Sequence, residues 1–285
     1  MKLKTFYKIY YRHRINKANF FLKLYLYLII LIRYIVNLFY FEKKINFDEQ
    51  KNQYEKLYTQ NIHYLFEYFN SDKGLEFIDQ YPEPFKRRNN KNKVKAHGYS
   101  IFYEKYFQVL KDQNINILEI GSFYGNASAA MYFYFKNANI YGADINPDMF
   151  KYKSNRIESF FVNSSSRNSI NNDLIKKNIS FGIIIEDASH MLKDQILSLF
   201  MLFKILDPGG VFIVEEIDFP EKREDMRINQ SLPNLKTILN KILLNQDFHT
   251  EYVEEKEKLY FLENLQSIEF FKGNFNEIAI IKKKS

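Results

Sequence analysis

The chain contains no cysteine and no tryptophan among its 285 residues. Without cysteine it can form neither a disulfide framework nor a thiolate metal site, which fits a reducing compartment. The length is sufficient for one α/β domain with its own core, together with an extension of a few tens of residues.

Lysine, asparagine, isoleucine, phenylalanine and tyrosine are abundant, and the formal net charge is +7 with a pI of about 9.1. A basic surface can meet nucleic acid, an anionic membrane or an acidic substrate. An AT-rich codon bias produces the same composition, however, so neither the charge nor the aromatic content indicates a partner by itself.

A basic segment precedes a long apolar stretch at the N-terminus. The basic residues are Lys2, Lys4, Lys8, Arg12, Arg14 and Lys17, and the apolar stretch runs from Phe20 to Phe41. The stretch is long enough to span a bilayer. However, Arg33 inside the hydrocarbon would cost about 2.5–3.5 kcal/mol, and the basic flank would direct the rest of the chain out of the cytoplasm.

A signal peptide is also disfavoured, because no small-residue cleavage site follows the apolar stretch. Two interpretations of residues 1–41 stay open. They form an amphipathic helix that makes peripheral contact with a membrane, which would place the protein at the inner face of that membrane. Alternatively, they pack on the rest of the chain or on a second subunit. The oligomeric state does not follow from the sequence.

Downstream of residue 110, short apolar runs alternate with helical patterns. The predicted strands are Ile115–Ile120, Asn139–Asp144, Phe160–Asn163, Gly182–Glu186, Val211–Glu215, Ser267–Lys272 and Glu277–Lys282. Such alternation predicts an α/β fold with a mostly parallel sheet, and the last two runs add an antiparallel strand. Upstream, residues 42–70 have helical spacing. The predicted organisation is therefore a helical N-terminal extension (1–48), a helical cap and loop region (49–110) and a ligand-binding domain (111–285).

Two acidic positions mark a ligand site at the ends of the first two strands. Glu119 precedes a turn that contains Gly121 and Gly125, and Asp144 ends the second strand. Ligands in open parallel sheets bind beyond the carboxyl ends of the strands. Asp144 can accept both hydroxyls of a ribose. The G-x-G-x-x-G pattern of a dinucleotide site is missing, and the acid two residues before Gly121 suits a cationic amino-acid tail instead.

These segments resemble motifs of the class I S-adenosylmethionine (SAM) dependent methyltransferases. The matching stretches are Leu118–Gly125, Gly142–Asp144 and Leu206–Gly210. The resemblance implies a seven-stranded Rossmann-like sheet with an antiparallel last strand. It also implies that SAM binds with its methionine part at Glu119, Gly121 and Gly125. The ribose would then lie at Asp144 and the adenine near Ser164 or Ser165.

Acids and a histidine follow the fourth and fifth strands. The fourth ends at Glu186, Asp187 and His190, and the fifth ends at Glu215, Glu216 and Asp218. Five carboxylates at neighbouring strand ends would repel one another unless a cation lies between them. A hard divalent ion such as Mg²⁺ meets that need. The alternative is that the acids are exposed loop residues and that His190 caps the next helix.

The same segments resemble a narrower group, the metal-dependent sugar O-methyltransferases of the macrocin and mycinamicin type. The resemblance implies that Asp187, Glu215 and Glu216 hold Mg²⁺ and that His190 is the general base, with Asp187 beside it. The stretches Ser71–Lys73, His97–Tyr99 and Tyr103–Glu104 resemble further elements near the active site of that group. Glu186 and Glu216 depart from it, since aspartate is usual at both positions, and residues 1–48 resemble nothing in it.

The expected function is SAM-dependent, Mg²⁺-assisted O-methylation of a sugar hydroxyl on a glycan or glycosylated metabolite in the cytoplasm. A non-sugar acceptor such as a catechol, or a non-catalytic membrane-associated protein with a SAM fold, stays open as an alternative. Nucleic acid is not expected as a partner. Amino-group methylases of nucleic acids usually carry an Asn/Asp-Pro-Pro-aromatic element after the fourth strand, where this chain has Asp187–His190.

Overall fold

The computed structural model describes residues 1–11, 15, 18–39, 43–78 and 93–285. Several residues of the N-terminal segment named above, Arg12, Arg14, Lys17 and Phe41, lie outside these ranges.

The strands of the described residues occur in the following order. They are β1 (Ile45–Asn46), β2 (Glu76–Ile78), β3 (Lys93–Lys95), β4 (Asn116–Ile120), β5 (Asn139–Asp144), β6 (Tyr152–Lys153), β7 (Ile157–Phe161), β8 (Phe181–Glu186), β9 (Leu206–Val214), β10 (Leu265–Lys272) and β11 (Glu277–Lys283). Within the described residues, seven of them form the central sheet in the order β10-β11-β9-β8-β4-β5-β7.

The strands from β9 to β7 pair in parallel, whereas β11 is antiparallel to both β9 and β10. The predicted sheet, with its antiparallel last strand, is confirmed. Several strand limits differ from the prediction, and the largest differences are that β7 begins at Ile157 and β9 begins at Leu206. Leu206 pairs with Phe181 ahead of a register shift, so the Asp207–Gly210 turn signal lies inside the strand.

Helices cover both faces of this sheet. The described helices are α1 (Leu3–Tyr10), α2 (Phe20–Leu38), α3 (Lys51–Tyr54), α4 (Ile62–Tyr68), α5 (Ser100–Phe107), α6 (Asn126–Tyr134), α7 (Arg167–Ser169), α8 (Leu192–Leu202), α9 (Phe219–Lys222), α10 (Leu235–Leu243) and α11 (Glu255–Asn264). Successive side chains of a strand point to opposite faces. Ile183 and Ile185 therefore join one core with α4, α5 and α6, while Ile184 joins the other with α8, α10 and α11.

The prediction of one helix over residues 42–70 is wrong. Ile45 pairs in parallel with Tyr152, so this stretch begins as a strand against the domain. A 3₁₀ turn at Glu55–Thr59 follows α3. The side chain of Asn61 then accepts the Tyr64 N–H at 2.8 Å and caps the new helix α4.

The N-terminal helices α1 and α2 pack against each other through a small apolar cluster that includes Phe6, Leu26 and Ile30. Asp148 ties this pair to the domain, because its carboxylate accepts hydrogen bonds from the Lys2 N–H and the Thr5 hydroxyl. None of the helices in the described ranges is both long and apolar enough to cross a bilayer.

Candidate active site

A cavity of about 310 Å³ opens at the carboxyl ends of β4, β5 and β8. Of the residues predicted to bind or react, Glu119, Gly121, Asp144, Ser164, Asp187 and His190 line it. The cavity therefore joins the predicted SAM site to the predicted reactive site. Gly125 lies in the turn behind its wall, and Glu215 and Glu216 lie deeper.

Two glycines allow the turn after β4 to approach its neighbours closely. Gly121 has φ +87°, and a Cβ at this position would lie 2.0 Å from the Asp187 carbonyl oxygen. Gly125 has φ +78°, and its Cβ would lie 2.6 Å from the Phe150 ring. Both positions therefore exclude a side chain for conformational and for steric reasons.

Glu119 is a buried acid at the floor of the cavity. Its Oε2 accepts a hydrogen bond from the Ser128 hydroxyl at 2.5 Å, and the Lys73 Nζ lies 3.7 Å from its Oε1. Burial raises the pKa of Glu119 to about 7, although Lys73 acts to lower it. A cationic ligand beside this carboxyl would favour its ionised form.

Asp144 is held in a fixed orientation at the end of β5. Its Oδ2 accepts the Phe123 N–H at 3.0 Å, and its Oδ1 accepts the Asn146 N–H at 2.7 Å. Burial raises the pKa of Asp144 above its usual value, and these two hydrogen bonds oppose that shift. The remaining lone pairs are available to hydroxyl groups in the cavity. Ser164 is largely buried farther along the same wall.

Asp187 and His190, which line the cavity, converge with the buried Glu216. One potential ligand atom from each lies within 4.8 Å of the others. The His190 Nε2 is 3.7 Å from Asp187 Oδ1, and its Nδ1 is 3.6 Å from Glu216 Oε2. Burial lowers the pKa of His190, so the imidazole is neutral near pH 7.

The alternative of exposed acids and a capping histidine is wrong. Glu215 and Glu216 are 1% and 3% exposed. The N–H of Met191, which precedes α8, donates to the Ser189 hydroxyl rather than to His190.

Lys73 places a buried ammonium among the acids. It is hydrogen-bonded to Asp187, and its Nζ lies 2.9 Å from Glu215 Oε1. Burial by itself would lower the pKa of Lys73, but the nearby carboxylates of Asp187 and Glu215 raise it well above its ordinary value. The hydroxyl of Tyr103 also donates to Glu215. Glu215 is therefore engaged by Lys73 and Tyr103 and lies outside the group formed by Asp187, His190 and Glu216.

His97 and Tyr99 contact the remaining acid. The Tyr99 hydroxyl donates to Glu216 Oε1 at 3.0 Å, and the His97 Nδ1 lies 3.3 Å from the same oxygen. The two rings stack with centroids 5.2 Å apart. The segment that precedes the domain thus contributes two contacts to Glu216.

The five acids of the two strand ends do not all meet, and this corrects the expectation from the sequence. Glu186 is fully buried and shares its sheet face with Ile184, away from the cavity. Burial raises the pKa of Glu186 to about 8. Asp218 accepts the Glu277 N–H at 3.0 Å and forms an ion pair with Lys222.

Two residues of the reactive group have left-handed backbone conformations. The φ angles are +55° at His190 and +47° at Glu216. Such conformations cost about 1–3 kcal/mol each in a non-glycine residue and occur mainly at functional sites. With these conformations the side chains of His190 and Glu216 lie toward Asp187. No pattern in the sequence predicts the left-handed backbone.

The arrangement fits a divalent cation. Glu216 Oε2 and the Nδ1 atoms of His190 and His97 are buried without a hydrogen-bond partner among the residues that the structure describes. Burial and the neighbouring Asp187 raise the pKa of Glu216 well above its usual value. A cation bound by the carboxylates of Asp187 and Glu216 would satisfy Glu216 Oε2 and stabilise the ionised carboxylates, and it would leave the imidazole of His190 beside it. Mg²⁺ uses few protein ligands and keeps several waters.

The chain shares part of its sequence with curated enzymes. It is 28% identical over 137 residues to 8-demethyl-8-alpha-L-rhamnosyl tetracenomycin-C 2'-O-methyltransferase of Streptomyces olivaceus, which covers 46% of this chain and 36% of that protein. It is 26% identical over 128 residues to demethylmacrocin O-methyltransferase of Streptomyces fradiae, covering 42% and 32%. The match thus spans about a third of the length of these relatives. No protein-family profile matches the chain.

A solved structure shares the fold. The MycE methyltransferase from the mycinamycin biosynthetic pathway, in complex with Mg, SAH and mycinamycin VI, aligns with a TM-score of 0.58 and 18% identity. The alignment covers 79% of this chain and 55% of MycE. The chain therefore has the class I methyltransferase fold and resembles, over part of its length, the macrocin- and mycinamicin-type sugar O-methyltransferases.

Proposed function

We propose that this chain is a SAM-dependent, Mg²⁺-assisted O-methyltransferase whose acceptor is a sugar hydroxyl of a glycan or a glycosylated small molecule. The observation that carries the proposal is one cavity that is lined both by Glu119 and Asp144, from the predicted SAM site, and by Asp187 and His190, from the predicted reactive site. A methyl donor and a metal-bound acceptor would meet inside it.

The names of the relatives support oxygen, and specifically a sugar oxygen, as the acceptor. The tetracenomycin enzyme is named for methylation of a rhamnosyl derivative, and demethylmacrocin is methylated by an O-methyltransferase. The reactive segments quoted from the sequence are those that resemble this group. The acceptor of this chain is therefore proposed by similarity, and its cofactor site is proposed by geometry.

The cofactor would be held by charge and by backbone shape. The carboxylate of Glu119 suits the cationic methionine part of SAM. Because Gly121 has no side chain, the backbone of its turn would come close to the same part of SAM. Asp144 would accept the two ribose hydroxyls, and Ser164, which also lines the cavity, would lie near the adenine.

The acceptor would be activated at the reactive end. A bound divalent cation would lower the pKa of a coordinated hydroxyl and orient its oxygen. The neutral imidazole of His190 can take the proton released as that oxygen attacks the methyl. The Tyr99 hydroxyl fixes Glu216 in position. The ammonium of Lys73 lies beside the carboxylates of Glu215 and Asp187 and offsets the repulsion between them.

The role of His190 is tested against its neighbour His97. His190→Ala should lose about 10²–10⁴-fold in turnover while SAM affinity stays unchanged, since proton removal contributes about that factor. His97→Ala should lose less, about 10–100-fold, because His97 contacts Glu216 but lies outside the group formed by Asp187, His190 and Glu216. Calorimetric titration of SAM into both variants provides the control. Equal losses in the two variants would contradict the assignment of His190 as the base.

The acceptor class is tested in cells. Mass spectrometry of glycans and glycosylated metabolites, from cells with and without this chain, should show a sugar that loses one methyl group. A catechol or another non-sugar product changed in its place would favour a small-molecule O-methyltransferase. No SAM binding by the purified, folded protein would favour a non-catalytic role. We place the reaction in the cytoplasm, where SAM is made.

A further inference from the structure

The helix α2 presents an apolar face that the rest of the described chain leaves uncovered. The side chains of Phe21 and Leu28 are 80% and 67% exposed. Others on this face are Leu24, Leu31, Ile32 and Ile35, each more than half exposed. Monomeric soluble proteins rarely expose so large a contiguous apolar surface without a partner.

The charges of α2 lie on its other side. Leu26 and Ile30 are buried against α1. Seven residues, or two helical turns, separate Lys23 from Ile30 and Leu26 from Arg33, so these four side chains share one face. The uncovered face therefore carries no charge, and the two basic residues flank the side that packs on α1. This is the pattern of a helix that lies in a membrane interface.

The charge of the segment indicates what covers the face. Residues 1–41 contain no aspartate and no glutamate. Their basic residues are Lys2, Lys4, Lys8, Arg12, Arg14, Lys17, Lys23 and Arg33. A second copy of the segment would bring a further net positive charge close to the first, with no acid in the segment to balance it. An anionic lipid surface instead complements the basic residues while its acyl region accepts the apolar face.

The helix pair is fixed to the domain beside the cavity. Asp148 accepts hydrogen bonds from the Thr5 hydroxyl at 2.8 Å and from the Lys2 N–H at 2.5 Å. It lies four residues after Asp144, which lines the cavity. A surface bound by α2 would therefore lie in a defined position relative to the cavity.

We propose that α1 and α2 form a docking surface for an anionic lipid bilayer, with the uncovered face of α2 inserted among the headgroups and upper acyl chains. The basic residues of the segment supply the attraction to the anionic headgroups. This inference does not depend on the chemistry of the cavity, and it commits to lipid rather than to a second copy or a protein partner.

The test is flotation of the full-length protein with vesicles. Vesicles of phosphatidylglycerol and phosphatidylcholine should carry the protein at low salt, and pure phosphatidylcholine vesicles should carry much less. The variant Leu28→Gln/Ile32→Gln should lower the partition constant at least about tenfold, because two aliphatic side chains no longer enter the bilayer. Both positions are exposed, so the fold should not depend on them.

A matched control removes comparable side chains elsewhere. Leu244 and Ile228 are 66% and 55% exposed on the domain, and the variant Leu244→Gln/Ile228→Gln should float like the wild-type protein. Wild-type protein that stays unbound to anionic vesicles would overturn the proposal. So would equal binding of the two double variants. A lipid-free dimer that dissociates only in the Leu28→Gln/Ile32→Gln variant would assign the face to a second copy. SAM titration of each variant reports separately on the cavity.

Discussion

The Lys73 Nζ lies 2.9 Å from Glu215 Oε1, and the same ammonium is hydrogen-bonded to Asp187. A lysine from the segment before the domain thus neutralises acids from the ends of β8 and β9. Because Glu215 is engaged in this way, Glu216 is the acid of β9's end that meets Asp187 and His190.

Replacing Lys73 by methionine should destabilise the protein. The change keeps the length of the side chain but leaves Asp187 and Glu215 without their buried counter-charge, which typically costs about 3–5 kcal/mol. Thermal unfolding measures the loss. Mg²⁺ should raise the melting temperature of this variant more than that of the wild-type protein, because a cation can replace the missing charge.

The control is Lys105→Met. Lys105 pairs with Glu269 at 3.0 Å on the surface, with 60% of its side chain exposed. Exposed pairs contribute about 0–1 kcal/mol. Equal destabilisation by the two substitutions would show that the buried ammonium has no special role.

Glu216 and Glu215 should differ in their effect on metal affinity. Glu216→Gln removes one of the two carboxylates that would hold the metal and should weaken Mn²⁺ binding by more than about 100-fold, beyond the effect of an outer group. Glu215→Gln changes a residue that does not hold the metal itself but orients Asp187 through Lys73. Outer groups of that kind typically contribute about 10–100-fold to metal affinity. Electron paramagnetic resonance of bound Mn²⁺ measures both. If Glu215→Gln proves the more damaging, Glu215 is the ligand that the sequence resemblance implies, and Lys73 leaves it when the metal binds.

SAM binding should tighten as the pH rises through 7. Burial raises the pKa of Glu119 to about 7 in the ligand-free protein, so its carboxyl is largely protonated at lower pH. The cationic part of SAM favours the ionised form, and binding near pH 6 should therefore release a proton. Calorimetry in buffers of different ionisation enthalpy detects this release. Glu119→Gln should bind SAM weakly and without proton release, whereas wild-type binding without proton release at low pH would show that another group meets the cation.

Gly121→Ala should abolish SAM binding. The new Cβ would lie 2.0 Å from the Asp187 carbonyl oxygen, in addition to the strain of a positive φ. Gly209 has φ +73°, but a Cβ there would meet only the Ser285 Oγ, at 3.4 Å. Gly209→Ala should therefore cost about 1–2 kcal/mol in stability and leave SAM affinity intact. Similar affinities in the two variants would contradict the close approach at Gly121.

Much of the sheet could be predicted from the sequence. Apolar runs such as Gly182–Glu186 are bounded by turn residues. The alternation of these runs with helical patterns predicts strands that pair in parallel. The prediction of one helix over residues 42–70 failed because the helical spacing of this stretch does not reveal the short strand at Ile45 or the helix cap at Asn61. The spacing of apolar residues shows only the periodicity of a segment. The two interruptions of the helix depend instead on the pairing of Ile45 with Tyr152 and on a single side-chain hydrogen bond of Asn61.

The residues of the candidate site could be predicted from the sequence, but the contacts between them could not. A one-residue step along a strand changes the face of the sheet, so Glu186 points into the core while Asp187, just beyond the strand, reaches the cavity. The left-handed backbone at His190 and Glu216 is set by packing and has no sequence signal. Ser128, the partner of Glu119, was also missed, because it lies in the apolar pattern of α6.

Methyl transfer itself tests the central claim most directly. Purified protein would be incubated with SAM carrying a labelled methyl group and with glycan and glycosylated-metabolite extracts from cells that lack this chain. The account predicts label in an O-methylated sugar, loss of transfer in EDTA, and recovery when Mg²⁺ is restored. Transfer that continues undiminished in EDTA, or label found on a product without a sugar, would contradict it.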